Sequence, residues 1–332
     1  MYYVIIMLIL NLLLAFSIGA QEETMSTVLG SSSLSIRKTV IIDGLLIFLG
    51  SILMSSPVGE TLGITILSEN VEYSRQMMVS VLFTAISWLL IGAFTKVPIS
   101  LNQTVVGSIV GVLLVEDLTT PHNFLDLINV SKIIIVLIGW IVGPIGAYLI
   151  SLLAEYFIQK VFHGRVTGLI KMEKQENSFR YFLIFFVALN QISTAGNQSG
   201  NALGMMYGLN EGDFISNRTL WIMIFAVAFA YLLGFVIFGR SLIIEIGESM
   251  GDIRPSETTA IEIASSLLIL VTTILGIHVS SAQILVFSIL GSSRMRGIKP
   301  RSGTFRRMFI TWGILLPLSM VSAGLIFFIQ KL

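Results

Sequence analysis

Four short polar stretches interrupt a chain otherwise built from apolar runs. They are G-A-Q-E-E-T-M-S-T at 19–27, P-I-S-L-N-Q-T at 98–104, Q-I-S-T-A-G-N-Q-S-G-N at 191–201 and H-V-S-S-A-Q at 278–283. Pro98 suits a helix start, because its missing N–H is one of the orphan donors there. Ser100 and Ser280 can cap or flank such starts and leave backbone N–H groups free, and a helix N-terminus with free donors is an anion site. No Lys or Arg falls inside the apolar segments. An anion in these clusters would be held by backbone N–H, hydroxyls and amides, helped by a co-bound cation. Ser100, Asn102, Gln103, Thr104, Ser280, Ser281 and Gln283 supply that chemistry. A cation would look for oxygen, from Gln21, Glu22, Asn197, Gln198 and unwound carbonyls.

Each of these residues also has a plainer reading, since serines and small residues mediate helix packing in membranes. Carboxylates inside a membrane are costly and point to function by default. Asp43, in I-I-D-G-L-L, is the most isolated and would pair with a polar cluster. Glu262, early in its segment, would lie near the headgroups. Glu22 and Glu23 are adjacent, and either one could face a cavity. His278 reads as a packed or capping group. Three histidines with no His/Cys cluster offer no transition-metal site.

Such clusters need a membrane to set them in. Of 332 residues, 55% are apolar and only 12% charged, with 20 Lys+Arg against 19 Asp+Glu. A soluble fold could not hide so much apolar surface, so the class is an all-α polytopic membrane protein surrounded by lipid. A net charge of +1 gives no reason to expect nucleic acid. The absence of cysteine excludes disulfides, thiolate metal sites and cysteine nucleophiles. Apolar segments fall near 2–20, 39–56, 77–95, 98–115, 133–158, 181–200, 219–239, 258–277, 279–291 and 308–330. The longest polar break, 159–180, splits them five and five. The expected organisation is a first membrane repeat at 1–158, a central cytoplasmic connection at 159–180 and a second repeat at 181–332.

The first segment ends in small residues like a secretory signal, but no basic residue occurs before Arg37. A retained helix is the expectation. If every segment crosses, alternate loops carry 16 Lys+Arg on one face and 4 on the other. The positive-inside rule then makes the basic face cytoplasmic and puts both termini outside the cell membrane. Segment 9 spans only about 20 Å at 1.5 Å per residue, so it is expected to be a half-helix or re-entrant.

The halves match each other weakly but in order. P-I-S-L-N-Q-T-V-V-G-S-I-V-G at 98–111 lines up with H-V-S-S-A-Q-I-L-V-F-S-I-L-G at 278–291, an offset of 180. G-A-Q-E-E at 19–23 meets A-G-N-Q-S at 195–199, an offset of 176, and V-G-E-T-L at 58–62 meets F-G-R-S-L at 238–242. Five crossings per copy is an odd number, so the copies would be inverted, with a midplane site where broken helices meet.

These clusters resemble the inorganic phosphate transporter (PiT) family, which also includes sulfate permeases. Its signatures are G-A-N-D-V-A-N-A and P-V-S-T-T-H, each once per half. G-A-Q-E-E-T-M-S resembles the first, and G-N-Q-S-G-N-A-L at 196–203 its second copy, with Asn197, Gln198 and Asn201 on the N, D and second N. P-I-S-L-N-Q and H-V-S-S-A-Q resemble the two P-V-S-T-T-H motifs, and A-I-E-I-A-S also falls in family order. The resemblance implies a secondary permease, not an enzyme, that carries phosphate or sulfate coupled to Na+ or H+. Bound Na+ is the one cofactor it allows, and a second copy of the chain stays open as a partner. The departures are an uncharged Gln198 where the family has aspartate, and Leu101-Asn102-Gln103 and Ser281-Ala282-Gln283 in place of T-T-H. The nearest rival is sulfate transport. From another class, a membrane phosphatase acting on lipid phosphates would want a cationic residue for transition-state charge, and the segments have none.

Overall fold

In lipid, an apolar run can satisfy its backbone groups only as a helix or in a closed barrel. The computed structural model describes residues 2–62, 74–120, 124–162, 168–211, 215–251, 253–298 and 302–332, and shows no β-strand among them. The helices are α1 (Tyr2–Gly19), α2 (Ser26–Gly30), α3 (Ile36–Met54), α4 (Ser56–Leu62), α5 (Arg75–Thr95), α6 (Leu101–Thr119), α7 (Phe124–Leu127), α8 (Val130–Val161), α9 (Leu169–Glu211), α10 (Asn217–Gly234), α11 (Arg240–Ser249), α12 (Pro255–Ile274), α13 (Ser281–Arg296) and α14 (Ser302–Lys331). A π-helical turn, Phe235–Gly239, joins α10 to α11.

All ten expected segments are helices, but not equally long or apolar. Among the described residues, six spans have the length and composition to cross a membrane: 75–95, 101–119, 133–161, 217–249, 255–274 and 303–331. The other four are α1, α3, α9 and α13. α3 opens on Arg37 and Lys38, and the middle of α9 is polar. α13 has 16 residues, about 24 Å of helix. Two boundaries differ from expectation. α9 begins at Leu169 and runs for 43 residues, so much of the expected connection is the first turns of a membrane helix; positions 163–167 lie outside the described residues. Segment 7 continues through the π turn to Ser249 instead of ending near 239.

α5–α6 and α12–α13 form two helical hairpins. The first helix of each stops at a left-handed residue, Lys96 (φ 56°) and Gly276 (φ 65°), the usual way to satisfy the last carbonyls of a helix. Each hairpin leans on one long helix with an internal proline: α6 on α14 (Pro317) and α13 on α8 (Pro144). Gly111 and Gly291 make these approaches close. A Cβ on Gly111 would come within 2.0 Å of the Met320 carbonyl oxygen, and one on Gly291 within 2.2 Å of that of Tyr148.

The two long helices run past both hairpins. α14 starts with Phe305 and Met308 in one core with Ile261, Leu285 and Ile289 of the second hairpin. It passes the tip of the first, where Trp312 Nε1 donates to the Pro98 carbonyl at 3.1 Å. It ends with Lys331 paired to Glu116, near the open end of that hairpin. α8 starts with Ile133 and Val136 against the α6 core. Further along, Ala147 packs with Val279 and Ile284, and Ser292 Oγ donates to Glu155 at 3.0 Å. A pair between Arg296 and Glu257 (2.8 Å) closes the open end of the second hairpin. The main core, contributed largely by α1, α3, α5, α9 and α10, fills the space beside them.

Candidate functional site

Ser100 is the N-cap of α6 and Ser280 that of α13, in nearly the same conformation (φ/ψ −75°/108° and −86°/108°). Each hydroxyl oxygen accepts the N–H three residues on, from Gln103 and from Gln283, both at 3.4 Å. Each carbonyl accepts the next N–H, from Thr104 at 3.1 Å and from Ile284 at 3.0 Å. The first two N–H groups of each helix have no acceptor within the helix. They belong to Leu101 and Asn102, and to Ser281 and Ala282. All four residues line a single cavity that opens to solvent. Two positive helix ends thus face one space.

The remaining polar wall comes from the turn after α1, with Gln21 and Glu23, and from the middle of α9, with Gln198 and Asn201. Leu89, Ile99 and Val279 make it partly apolar, and no Lys or Arg is among the lining residues. Amides hold both hairpin tips in place. Gln21 Oε1 accepts the N–H of Ile99 at 2.7 Å. Asn197 Nδ2 donates to the Ile277 carbonyl at 3.1 Å and to Thr273 Oγ1 at 3.2 Å. Those two amides sit at the offset of 176 that relates the first and third polar clusters.

A hydrogen-bonded chain crosses the cavity wall. Gln198 Nε2 donates to Ser281 Oγ at 2.9 Å, and Ser281 Oγ donates to Glu23 Oε1 at 2.8 Å. The single hydroxyl proton of Ser281 is therefore spent on Glu23, so Ser281 offers an anion its backbone N–H and not its hydroxyl. Asn201 Nδ2 donates to the Asn197 carbonyl at 3.1 Å, which leaves its oxygen for other partners.

The expected residues divide into walls and supports. Gln21, Asn102, Gln198, Asn201, Ser280 and Ser281 line the cavity. Ser100, Gln103, Gln283 and Asn197 stand behind it as caps and braces. Thr104 is fully buried and bonds back to the Ser100 carbonyl at 2.9 Å. Glu22 is fully buried and does not line the cavity. Its carboxylate accepts the Tyr231 hydroxyl and the backbone N–H groups of Glu23 (3.2 Å) and Thr24 (3.0 Å). Its neighbour Glu23 takes the cavity position, a choice that adjacency in sequence left open. Leu101 and Ala282 line the cavity at the two helix starts, and no side-chain type announces such positions in a sequence.

Two other carboxylates are buried. Glu262 is fully enclosed instead of near the headgroups, accepting Thr27 Oγ1 at 2.7 Å and Asn190 Nδ2 at 2.8 Å. It ties the first polar cluster to α9 beside the third. Asp43 is fully buried and neither carboxylate oxygen has a hydrogen-bond partner among the described residues.

Helices of membrane-crossing length, two hairpins meeting tip to tip and a cavity walled by helix N-termini define a class: a multi-pass membrane protein built to receive a small polar solute. The particular family is shown by the sequence. Residues 21–323 match the phosphate transporter family, and the chain belongs to it. It is a membrane transporter of phosphate and not an enzyme, which removes the lipid phosphatase reading. The chain is 25% identical over 318 residues to a Bacillus subtilis protein named "Probable low-affinity inorganic phosphate transporter", covering 93% of this chain and 91% of that one. It is 24% identical over 344 residues to a Mycobacterium tuberculosis protein of the same name, covering 99% and 79%. Its fold matches a solved structure described as "The sodium-dependent phosphate transporter" with a TM-score of 0.83 at 19% identity, over 100% of this chain and 99% of that one.

Proposed function

We propose that this chain is a secondary permease that moves inorganic phosphate across the cell membrane together with a cation, sodium first and a proton second. The observation that carries the reading is the convergence of two helix starts, whose first N–H groups have no acceptor within their own helices, on one cavity without a cationic side chain among its lining residues. Phosphate would be held by the N–H groups of Leu101, Asn102, Ser281 and Ala282 and by the hydroxyl proton of Ser280, with Ser100, Gln103, Thr104 and Gln283 keeping the helix starts in shape. Backbone donors at a helix end favour an anion. However, a multiply charged anion beside Glu23 and Glu22 is too costly to bury alone, which supports co-binding of a cation. The oxygens assigned to that cation are those of Gln21, Glu22, Asn197, Gln198 and Asn201, which lie in the turn after α1 and in the middle of α9. The sodium dependence named for the solved relative puts sodium first.

Two inverted repeats, 1–158 and 181–332 joined through 159–180, complete the proposal. Supporting this are the matching caps at Ser100 and Ser280, the matching close approaches at Gly111 and Gly291, and long helices that pass the two hairpins in opposite order. The deciding experiment is uptake of labelled phosphate into proteoliposomes holding the purified chain. Accumulation should follow an inward sodium gradient, or failing that a proton gradient. Uptake equal to that of protein-free vesicles under both gradients would reject the permease reading.

A further inference from the structure

We propose that Asp43 is a proton site of this carrier, apart from the anion cavity, and that its proton travels with the phosphate. This rests on the permease reading above and adds a residue and an ion to it. Asp43 lies in α3, which packs against α9 and α10. It is fully buried, and neither carboxylate oxygen has a hydrogen-bond partner among the described residues. An ionised carboxylate without donors is among the costliest groups to bury, whereas a neutral acid forfeits only ordinary hydrogen bonds. Its surroundings raise that cost. Glu22 and Glu23, from the turn after α1, are close enough to act on Asp43 through their charge, and Tyr231 of α10 belongs to the same group. Glu22 is met there by three donors, as suits an ionised carboxylate, and Asp43 by none. Among the described residues α9 buries no acidic or basic side chain, so it brings no cation to Asp43. Asp43 is therefore neutral in this structure and holds a proton.

A metal ion fits the position less well. It would need several oxygens around it, and no three acidic or histidine side chains gather into a metal group among the described residues. Nor does the fold require an acid here. At the offset of 180 that pairs 58–62 with 238–242, Asp43 corresponds to Met223, a buried core residue. An ionisable group kept inside a membrane without a packing need marks an ion path or a proton relay. The tight seams of α3 tie its proton to the transport cycle. A Cβ on Gly44 would come within 2.7 Å of Leu232 Cδ1, and one on Gly50 within 2.4 Å of the Ile192 carbonyl oxygen. With α3 seated so closely on both neighbours, the proton enters or leaves only when those contacts open. The carboxylate then takes a proton from water on one side, and the acid returns it to water on the other.

The test compares the wild type with D43N, whose amide has the shape of the neutral acid, in proteoliposomes. Labelled phosphate exchanging against unlabelled phosphate without any gradient needs only the loaded carrier, so D43N should keep this counterflow near the wild-type rate. Accumulation driven by an inward proton gradient needs the proton to leave, and D43N should lose it. The same gradient acts on both proteins, so changes in the protonation of phosphate itself cancel. Wild-type accumulation that ignores the proton gradient, gradient-driven accumulation retained by D43N, or counterflow lost from folded D43N overturns the proposal. So does loss of sodium-driven accumulation alone, which would assign sodium to Asp43. If D43N does not assemble, the wild type labelled with carbon-13 at its aspartate side-chain carboxyls decides, because Asp43 is the one buried aspartate among the described residues. An infrared band of a labelled protonated carboxyl at neutral pH supports the role, and labelled carboxylate bands alone defeat it. Absence of any counterflow by folded wild-type protein overturns the permease reading itself, whereas wild-type counterflow with an unaltered proton response in D43N overturns only this one.

Discussion

At the scale of single residues, the cavity depends on caps as much as on walls. Removing an N-cap hydroxyl costs about 1 kcal/mol, and here the cap shapes the helix starts proposed to hold the anion. Ser100→Ala and Ser280→Ala should each raise the apparent KM for phosphate on the order of fivefold, while Ser33→Ala and Ser319→Ala leave it near wild type. Equal KM values in all four variants would return both caps to a packing role. Glu22 makes a different demand. Its carboxylate accepts from a hydroxyl and two backbone N–H groups, each such charged bond being worth about 1.5–3 kcal/mol. Glu22→Gln turns an amide nitrogen toward donors and removes the charge, so it should abolish gradient-driven accumulation, and Glu22→Asp should keep part of it. Full accumulation by Glu22→Gln under sodium and proton gradients alike would end any coupling role. The four polar clusters that meet at the cavity are visible in the sequence, yet it could not show which of Glu22 and Glu23 lines it. That depends on the turn after α1, where neither helical nor extended periodicity applies.

Elements were legible wherever apolar runs were long, because lipid leaves the backbone little alternative to a helix. Their ends were less so. The polar stretch before Arg180 reads as a connection from its charges, but α9 already begins at Leu169, since charged residues form helices outside the apolar layer as readily as apolar ones do within it. Likewise Arg240 marked an end that the π turn carries straight through. The glycines were clearer: Gly111 and Gly291 correspond at an offset of 180, and both touch the backbone of a long helix. Ala at either position needs a helix to move. Gly111→Ala and Gly291→Ala should each destabilise the protein by at least about 2 kcal/mol, whereas Gly139→Ala on α8, with nothing within 4 Å of its Cβ, should cost far less. Melting temperatures in detergent would check this, and a tolerated Gly111→Ala would mean that the α6–α14 approach is looser than it looks.

For the molecule as a whole, the arrangement follows from what each long helix passes. α14 meets the second hairpin first and the open end of the first hairpin last, while α8 begins at the α6 core and ends beside α12. With the two hairpin tips meeting at the cavity, their open ends lie on opposite sides of it. Glu176 accepts from Ser256 at the start of the second hairpin (2.8 Å to its Oγ), and Lys331 pairs with Glu116 near the end of the first. The start of α9 and the end of α14 are therefore expected at opposite membrane faces, and the 16-to-4 division of basic residues leads us to propose the cytoplasmic face for the former. The chain has no cysteine, so single cysteines report without background. Met172→Cys should react with a membrane-impermeant maleimide only after cells are opened, and Leu332→Cys should react on intact cells. Labelling of both from the same side would break the inverted arrangement, because an odd number of crossings must separate these two positions.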